Sequence, residues 1–354
     1  MDIMDVCQLT ITPDLLKLIS EIDEFKGTWR VTQKLSPDRL QVLRHVATIE
    51  SIGSSTRIEG AKLSDREVEA LLQGLSTRSF GTRDEQEVAG YAQAMDLVFE
   101  HASDLLLTEN YIKYLHRELL RHSEKDTYHR GEYKKFPNNV EAFDAEGQSL
   151  GVVFATASPF DTPREMEELV KWTRETLDDA SLHPLIVIGV FAVVFLAIHP
   201  FQDGNGRLSR VLTSLLLLLL RAGYSYIPYS SLESVIEKNK QSYYIALRRT
   251  QGSLKADTQD WLPWLRFFMT VLKRQKDHLS VKLEELQGTR FEGLPKESIA
   301  ILEYVARESR ITTAQALELV NIPRPTVRLR LTQLVEAGFL RTHGKGRGAF
   351  YTTL

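Results

Sequence analysis

Two stretches of this sequence carry no charge and stand only a short segment apart. Leu185 to Ile198 is uncharged and mostly apolar, and Val211 to Leu220 is nearly as apolar. Each falls short of the roughly 20 residues that cross a bilayer, and the segment between them holds glycines and charges. They predict two helices buried on every side, at the centre of a core built from other helices. A chain of 354 residues, 43% of them hydrophobic, has the material to surround such a pair. That composition excludes a disordered or collagen-like chain. The single cysteine, Cys7, excludes an intramolecular disulfide framework and a Cys-rich zinc site, and fits a reducing compartment. No basic-then-apolar leader opens the chain, so a cytoplasmic protein with no membrane partner is expected.

Helical spacing of apolar residues continues through Asp38 to Ser54, Asp65 to Leu75, Glu85 to Ser103, Glu109 to His122, Pro163 to Leu177 and Leu232 to Thr250. Ser36-Pro37, Ser64-Asp65, Thr108 and Thr162-Pro163 supply starts. Arg130 to Ser158 breaks the pattern with Gly, Asn, Pro and aromatics around short β-like pieces, Asn139 to Phe143 and Val152 to Phe154, which predict a small hairpin on the helical body. Trp261 to Leu286 reads as a connecting helical hairpin or linker helix. From Leu294 the pattern becomes Lys296 to Glu308, Thr312 to Val320 and Pro323 to Ala337, then two short strands around Gly344-Lys345-Gly346-Arg347-Gly348. That order resembles a winged helix-turn-helix. From Phe291 onward nine basic residues face six acidic ones, a net +3, whereas the whole chain carries −3. The tail is the basic end, too weakly charged overall for a nucleic-acid coat.

The segment between the apolar stretches is His199-Pro200-Phe201-Gln202-Asp203-Gly204-Asn205-Gly206-Arg207-Leu208-Ser209-Arg210. Pro200 disfavours helical geometry at His199, so the first helix should end there, and the second should start near Gly206 or Arg207. Gly204 and Gly206 let successive N–H groups turn to one side as an anion nest, at a helix N-terminus that itself favours phosphate. Arg207 and Arg210, three apart, share a helix face and can both reach one polyphosphate. Asp203 offers a hard carboxylate for Mg²⁺, and a neutral His199 can take a proton from an attacking hydroxyl. Singly, each has an ordinary structural reading as turn, cap or solvated face. Together they describe phosphoryl or nucleotidyl transfer.

This segment resembles the signature of the Fic family, His-Pro-Phe-x-(Asp/Glu)-Gly-Asn-Gly-Arg-x-x-Arg, at every specified position, and the likeness extends from about Leu40 to Gln251. The resemblance implies an all-α fold class: a Fic-fold helical core with a small β-hairpin flap, plus a C-terminal winged helix-turn-helix domain. It implies transfer of AMP from Mg-ATP to a Ser, Thr or Tyr hydroxyl of a target protein. His199 would be the base, Asp203 the Mg²⁺ ligand, Gly204, Asn205 and Gly206 the anion hole, and Arg207 and Arg210 the β- and γ-phosphate clamp. Gly131 to Val140 resembles the family's flap, whose edge receives the target by strand addition. On the same resemblance Lys135, Phe136, Pro137 and Asn138 count among the ATP-contacting residues, and Tyr243 and Tyr244 stand beside the adenine.

Ser55-Thr56-Arg57-Ile58-Glu59-Gly60 is similar to the family's (Ser/Thr)-x-x-x-Glu-(Gly/Asn) inhibitory motif. If the helix runs to Glu59, Ser55 and Glu59 share a face and Gly60 caps the end. The resemblance pairs Glu59 with Arg210 in the γ-phosphate's place, among the nucleotide-contacting positions, so that ATP binds out of line for transfer; in some relatives the same glutamate supports removal of AMP instead. The expected division is 1–105 for the helical region with the inhibitory motif, 106–255 for the Fic core, 256–290 for a helical linker and 291–354 for the winged helix. The winged helix can set Arg324, Arg328 and Arg330 against DNA, with Lys345 and Arg347 on the wing. DNA and a second copy of the chain, as a homodimer, join the target protein as partners to test. The competing whole-chain reading is a DNA-binding transcription regulator whose core only senses nucleotide.

Overall fold

The computed structural model describes residues 9–32, 37–75, 80–101, 106–143, 149–219, 222–254, 256, 258–291, 294–344 and 348–353. The chain divides into two compact units, Met1–Leu279 and Ser280–Leu354. The first is helical, in the order α1 (Pro13–Thr32), α2 (Pro37–Ile58), α3 (Asp65–Leu72), α4 (Arg83–His101), α5 (Glu109–Leu119), the hairpin β1 (Val140–Phe143) and β2 (Ser149–Phe154), then α6 (Thr162–Asp179), α7 (Pro184–Ile198), α8 (Asn205–Leu218), a 3₁₀ turn at Ile227–Tyr229, α9 (Leu232–Lys238), α10 (Lys240–Ser253) and α11 (Leu262–Phe291). The division into units falls inside α11, one continuous helix and not a hairpin.

α7 and α8 are the two apolar stretches. Every residue from Leu185 to Ile198 is buried, and α8 buries all of its positions except Gly206 and Leu218. Gly189 lets α11 close on α7: a Cβ there would meet Leu265 and Phe268, while Trp264 Nε1 donates to the Gly189 carbonyl at 2.6 Å. Gly90 does the same between α4 and α5, where a Cβ would strike the Leu119 carbonyl. Ser64 caps α3 in a capping box with Glu67, and Thr108 caps α5 through the Tyr111 N–H. Ser36 lies outside the described residues. At α6 the cap position is Asp161, without a side-chain cap bond.

Three expectations change. A helix over Pro13–Thr32 precedes those read from the sequence. Leu232 to Thr250 is two helices, because Asn239 leaves helical geometry and its Nδ2 ties back to the Val235 carbonyl. The second unit holds α12 (Lys296–Glu308), α13 (Thr313–Val320) and α14 (Arg324–Glu336), with β3 (Ile311–Thr312), β4 (Leu340–His343) and β5 (Phe350–Thr353). Its sheet is three-stranded, in the order β3-β5-β4 and antiparallel, not two-stranded. Ile301, Val305, Ile311, Val327, Leu331 and Leu334 form its core. Lys345 and Arg347 lie outside the described residues. Arg324 and Arg328 are exposed on α14, whereas Arg330 turns partly inward and donates to Gln333. Among the described residues, no helix is long and apolar enough to cross a membrane.

Candidate active site

α7 ends where Pro200 requires it to. His199 takes the left-handed conformation, φ 53° and ψ 60°, which costs a non-glycine residue about 1–3 kcal/mol. The bend turns the chain into the Pro200–Gly204 loop, and Gly204, at φ 79°, starts α8. Asn205 braces the loop: its Oδ1 accepts from Phe201 N–H at 2.9 Å, and its Nδ2 donates to the Phe201 carbonyl at 2.7 Å. That side chain therefore faces the loop backbone.

His199 Nδ1 lies 3.3 Å from the Leu196 carbonyl. A carbonyl only accepts, so Nδ1 carries the ring proton and Nε2 keeps its lone pair. Burial drives the pKa of the ring down to about 4, with the Lys134 charge adding to the effect. The imidazole is neutral near pH 7, with a free basic nitrogen.

Four residues further on, Asp203 is ringed by cations. Arg207 Nη2 is 3.2 Å from Oδ1, and Lys125 and Arg83 lie 3.2 and 3.6 Å from Oδ2. Burial pushes this carboxyl up, but Arg207, the Gly204 N–H and Lys125 outweigh it and hold the group ionised below the usual carboxylate range. Arg207 also faces Glu87 of α4 at 3.2 Å. Its buried Nε finds no acceptor among the described residues, and neither does Nη1 of Arg210. Two buried guanidiniums with donors to spare, beside a helix N-terminus, are chemistry that suits an anion. Among the described residues, no cluster of three or more His, Cys, Asp or Glu side chains could hold a metal. One ionised carboxylate beside phosphate-binding donors suits a Mg²⁺ that arrives with phosphate oxygens as its other ligands.

The end of α2 enters the same place. The helix runs past Ser54 and stops at Ile58, just short of Glu59; Glu59 and Gly60 form the turn after it, with Gly60 at φ 108°. Glu59 Oε1 accepts from Arg210 Nη2 at 2.8 Å, while Arg210 Nε and Nη2 donate to the Ser55 hydroxyl and carbonyl at 2.8 and 2.9 Å. Burial works against the Arg210 charge, but Glu59, with Tyr243 and Tyr91 beside it, outweighs that cost and holds the guanidinium above its ordinary range. The Glu59 carboxylate lies against Gly206, where an added Cβ would collide with it. Arg57 fixes this end of α2 with two bonds to Glu237 of α9, at 2.7 and 3.0 Å, and an ion pair to Asp65.

One cavity of about 570 Å³ gathers Glu59, His199, Asp203, Gly204, Asn205, Gly206, Arg207, Tyr243 and Tyr244 on its wall. Arg210 and Ser55 stand behind Glu59. Lys135, Phe136 and Pro137 do not line it; all three are exposed, Phe136 to 71%, because they lie on the outward side of the chain leading into the hairpin. Asn138 also faces away from the cavity and holds the turn from outside, donating to the His199 and Phe201 carbonyls at 3.2 and 2.6 Å. Sequence reasoning missed Arg83, Glu87 and Lys125 around Asp203, as well as Leu247, Arg248 and Gln251 on α10, which line the cavity. It missed His116 of α5 too, stacked on Phe201 with ring centroids 3.8 Å apart. The only available signal was a helical register: Arg83 and Glu87 are four apart, as are Tyr243 and Leu247.

Residues 106–217 match the Fic/DOC family model, and residues 298–341 match a winged helix-turn-helix DNA-binding model. The chain is 25% identical over 277 residues to the protein adenylyltransferase Fic of Drosophila mojavensis, covering 75% of this chain and 49% of that protein. It is 27% identical over 268 residues to the same-named protein of Drosophila virilis, again covering 75% and 49%. The chain thus spans about half the length of these curated relatives. A Fic family protein of Desulfovibrio desulfuricans is similar in fold, with a TM-score of 0.61 at 24% identity, over 98% of this chain and 97% of its own. A Fic-domain signalling protein of Bacteroides thetaiotaomicron reaches 0.58 at 25% identity, over 75% of this chain and 94% of its own.

Proposed function

From a chain that carries a Fic domain and a C-terminal winged helix-turn-helix, we propose a protein adenylyltransferase that moves AMP from ATP to a hydroxyl side chain of another protein and is held in check by Glu59. One observation carries the reading: a neutral imidazole whose Nε2 has no partner among the described residues and the N-terminus of α8 share a single cavity, and a glutamate carboxylate lies in the part of it next to Gly206.

In this reading the triphosphate lies along Gly204–Gly206, where the first N–H groups of α8 and the spare donors of Arg207 and Arg210 meet phosphate oxygens. Adenine sits toward Tyr243, Tyr244 and Leu247. Asp203 would hold Mg²⁺, which neutralises phosphate charge and eases departure of pyrophosphate; the ionised carboxylate and the neighbouring donors suit that role. His199 Nε2 takes the proton of the incoming hydroxyl as its oxygen attacks the α-phosphorus. A new P–O bond forms to the target, and the bond to the β-phosphate oxygen breaks.

Glu59 opposes this in two ways. Its carboxylate occupies an anion position at Gly206, and its pairing with Arg210 withholds that guanidinium from the γ-phosphate. A nucleotide admitted beside it sits displaced, and small misplacements cost large factors in rate. Incubation of wild type, Glu59→Gly and His199→Ala with α-labelled ATP and Mg²⁺, followed by intact mass, tests the reading. One added AMP in the glutamate variant, absent from the histidine variant, is expected; no added mass in any Glu59 variant overturns it.

Exposed Arg324 and Arg328 on α14 favour a second role, DNA binding by the winged helix, checked by the salt dependence of duplex affinity. The nucleotide-sensing regulator is the weaker whole-chain reading, because a sensor needs the nest and not the base.

A further inference from the structure

Lys134 is 3% exposed, on the chain that leads into the hairpin. Its ammonium donates to three acceptors: Asn138 Oδ1 at 2.8 Å, Thr156 Oγ1 at 2.9 Å and the Ile198 carbonyl at 2.9 Å. Its backbone N–H donates to the Pro200 carbonyl at 2.8 Å. Asn138 Nδ2 takes the two carbonyls that alternate with these, His199 and Phe201. Two residues therefore hold four consecutive carbonyls, 198 to 201, across the turn that carries the imidazole.

The other ends of these bonds matter as much. Asn138 and Asn139 immediately precede β1, Thr156 follows β2 by two residues, and Thr156 N–H donates to Asn139 Oδ1 at 3.3 Å. Both roots of the hairpin thus converge on one ammonium, which also binds the last carbonyl of α7. A left-handed histidine persists only where its surroundings over-determine it. Among the described residues the His199 side chain is held by the Leu196 bond alone, so its backbone frame supplies the rest. Burial draws the Lys134 pKa down to about 8, and the ammonium form keeps all three acceptors near neutrality.

We propose that Lys134 is a positioning residue for the transfer reaction, on which reading this inference rests: it locks both roots of the β1–β2 hairpin and the His199 turn into one frame, fixing the relation between hairpin edge and imidazole. The roles divide plainly. His199 moves the proton, whereas Lys134 touches neither substrate nor reacting atoms.

The test uses full-length protein in the Glu59→Gly background with ¹⁵N-labelled histidine. The parent should show the His199 ring in the Nδ1–H form. In Lys134→Met the ring should become a mixture of both forms, and labelling by α-labelled ATP should fall about 100-fold, while Mg-ATP affinity by calorimetry moves less than threefold. Should Lys134→Met fail to fold, Asn138→Asp decides. It keeps the acceptor for Lys134 and removes the donor to the His199 and Phe201 carbonyls, so the same mixture is expected. Ring signals and labelling rates in the variants equal to the parent's overturn the proposal. Altered ring signals in the variants, with a parent that never labels anything, would sink the transfer reaction and leave the frame standing. Unchanged rings in a parent that labels would sink the frame alone.

Discussion

Two histidines on opposite sides of one loop, one buried and one half-buried on the cavity wall, show how the same shift in acidity serves different ends. Around His199, at the end of α7, only Nδ1 is engaged among the described residues. Around His116, on α5, both nitrogens are: Nδ1 accepts from Gly131 N–H at 2.8 Å, so Nε2 carries the proton and donates to the Asp203 carbonyl at 3.0 Å. Burial lowers both rings to about pKa 4. One ring is therefore neutral and unfinished, and the other is neutral and fully bonded. A lowered pKa does not mark a base; a free lone pair on a cavity wall does. His116 ties the start of the hairpin segment to the backbone of Asp203 and packs flat on Phe201, which makes it part of the scaffold that aims Asp203.

The comparison breaks first at the base. His199→Ala in the Glu59→Gly background should lower adenylyl transfer by about 10³-fold, within the range of a lost general base, with little change in melting temperature. Comparable transfer by the alanine variant would remove His199 from the chemistry. The brake comes next: Glu59→Gly should raise labelling over wild type by about 100-fold, since it returns Arg210 and the Gly206 position to phosphate. Intact mass against time measures it, and equal rates would show that the carboxylate does not restrain the site.

His116 should behave in the opposite way. His116→Phe keeps the stacking surface but leaves the Gly131 N–H and the Asp203 carbonyl unpaired, at a cost of about 3 kcal/mol in unfolding free energy. Denaturant midpoints check this. A variant as stable as wild type would mean that the two bonds contribute nothing net.

What could be read from the sequence follows the same contrast. The turn at His199, the nest and the two arginines are neighbours in the chain, so proline, glycine and helical spacing were enough to assemble them. Glu59 came from a likeness of motif, not from periodicity, and it stands in the turn just after the helix rather than on it. His116, Lys134, Glu87 and Arg83 reach the loop from 64 to 120 positions away, and each alone looks like an ordinary helix or loop residue. Lys135, Phe136 and Pro137 failed for the converse reason. They adjoin a residue that matters, but the chain there turns them outward, and only Lys134 and Asn138 point back at the turn. The third strand of the winged helix was missed because Ile311–Thr312 is too short to alternate.

The smallest expected effect concerns acid. A histidine lowered from 6.5 to about 4 on folding takes up its proton more readily in the unfolded chain. Stability is therefore complete above about pH 7 and is lost as pH falls through 6.5, levelling only below about 4. By linkage each ring should contribute about 2 kcal/mol of loss between pH 7 and pH 5. His199→Ala removes one such contribution together with the 3.3 Å bond from Nδ1 to the Leu196 carbonyl. The fall in unfolding free energy over that interval should therefore be shallower in the variant by about 2 kcal/mol, measured by urea titration at each pH. His116→Phe should flatten the slope by the same amount while lowering the whole curve. Parallel curves for wild type and His199→Ala would mean that folding leaves the pKa of this ring unshifted, so that burial is not what keeps the imidazole neutral.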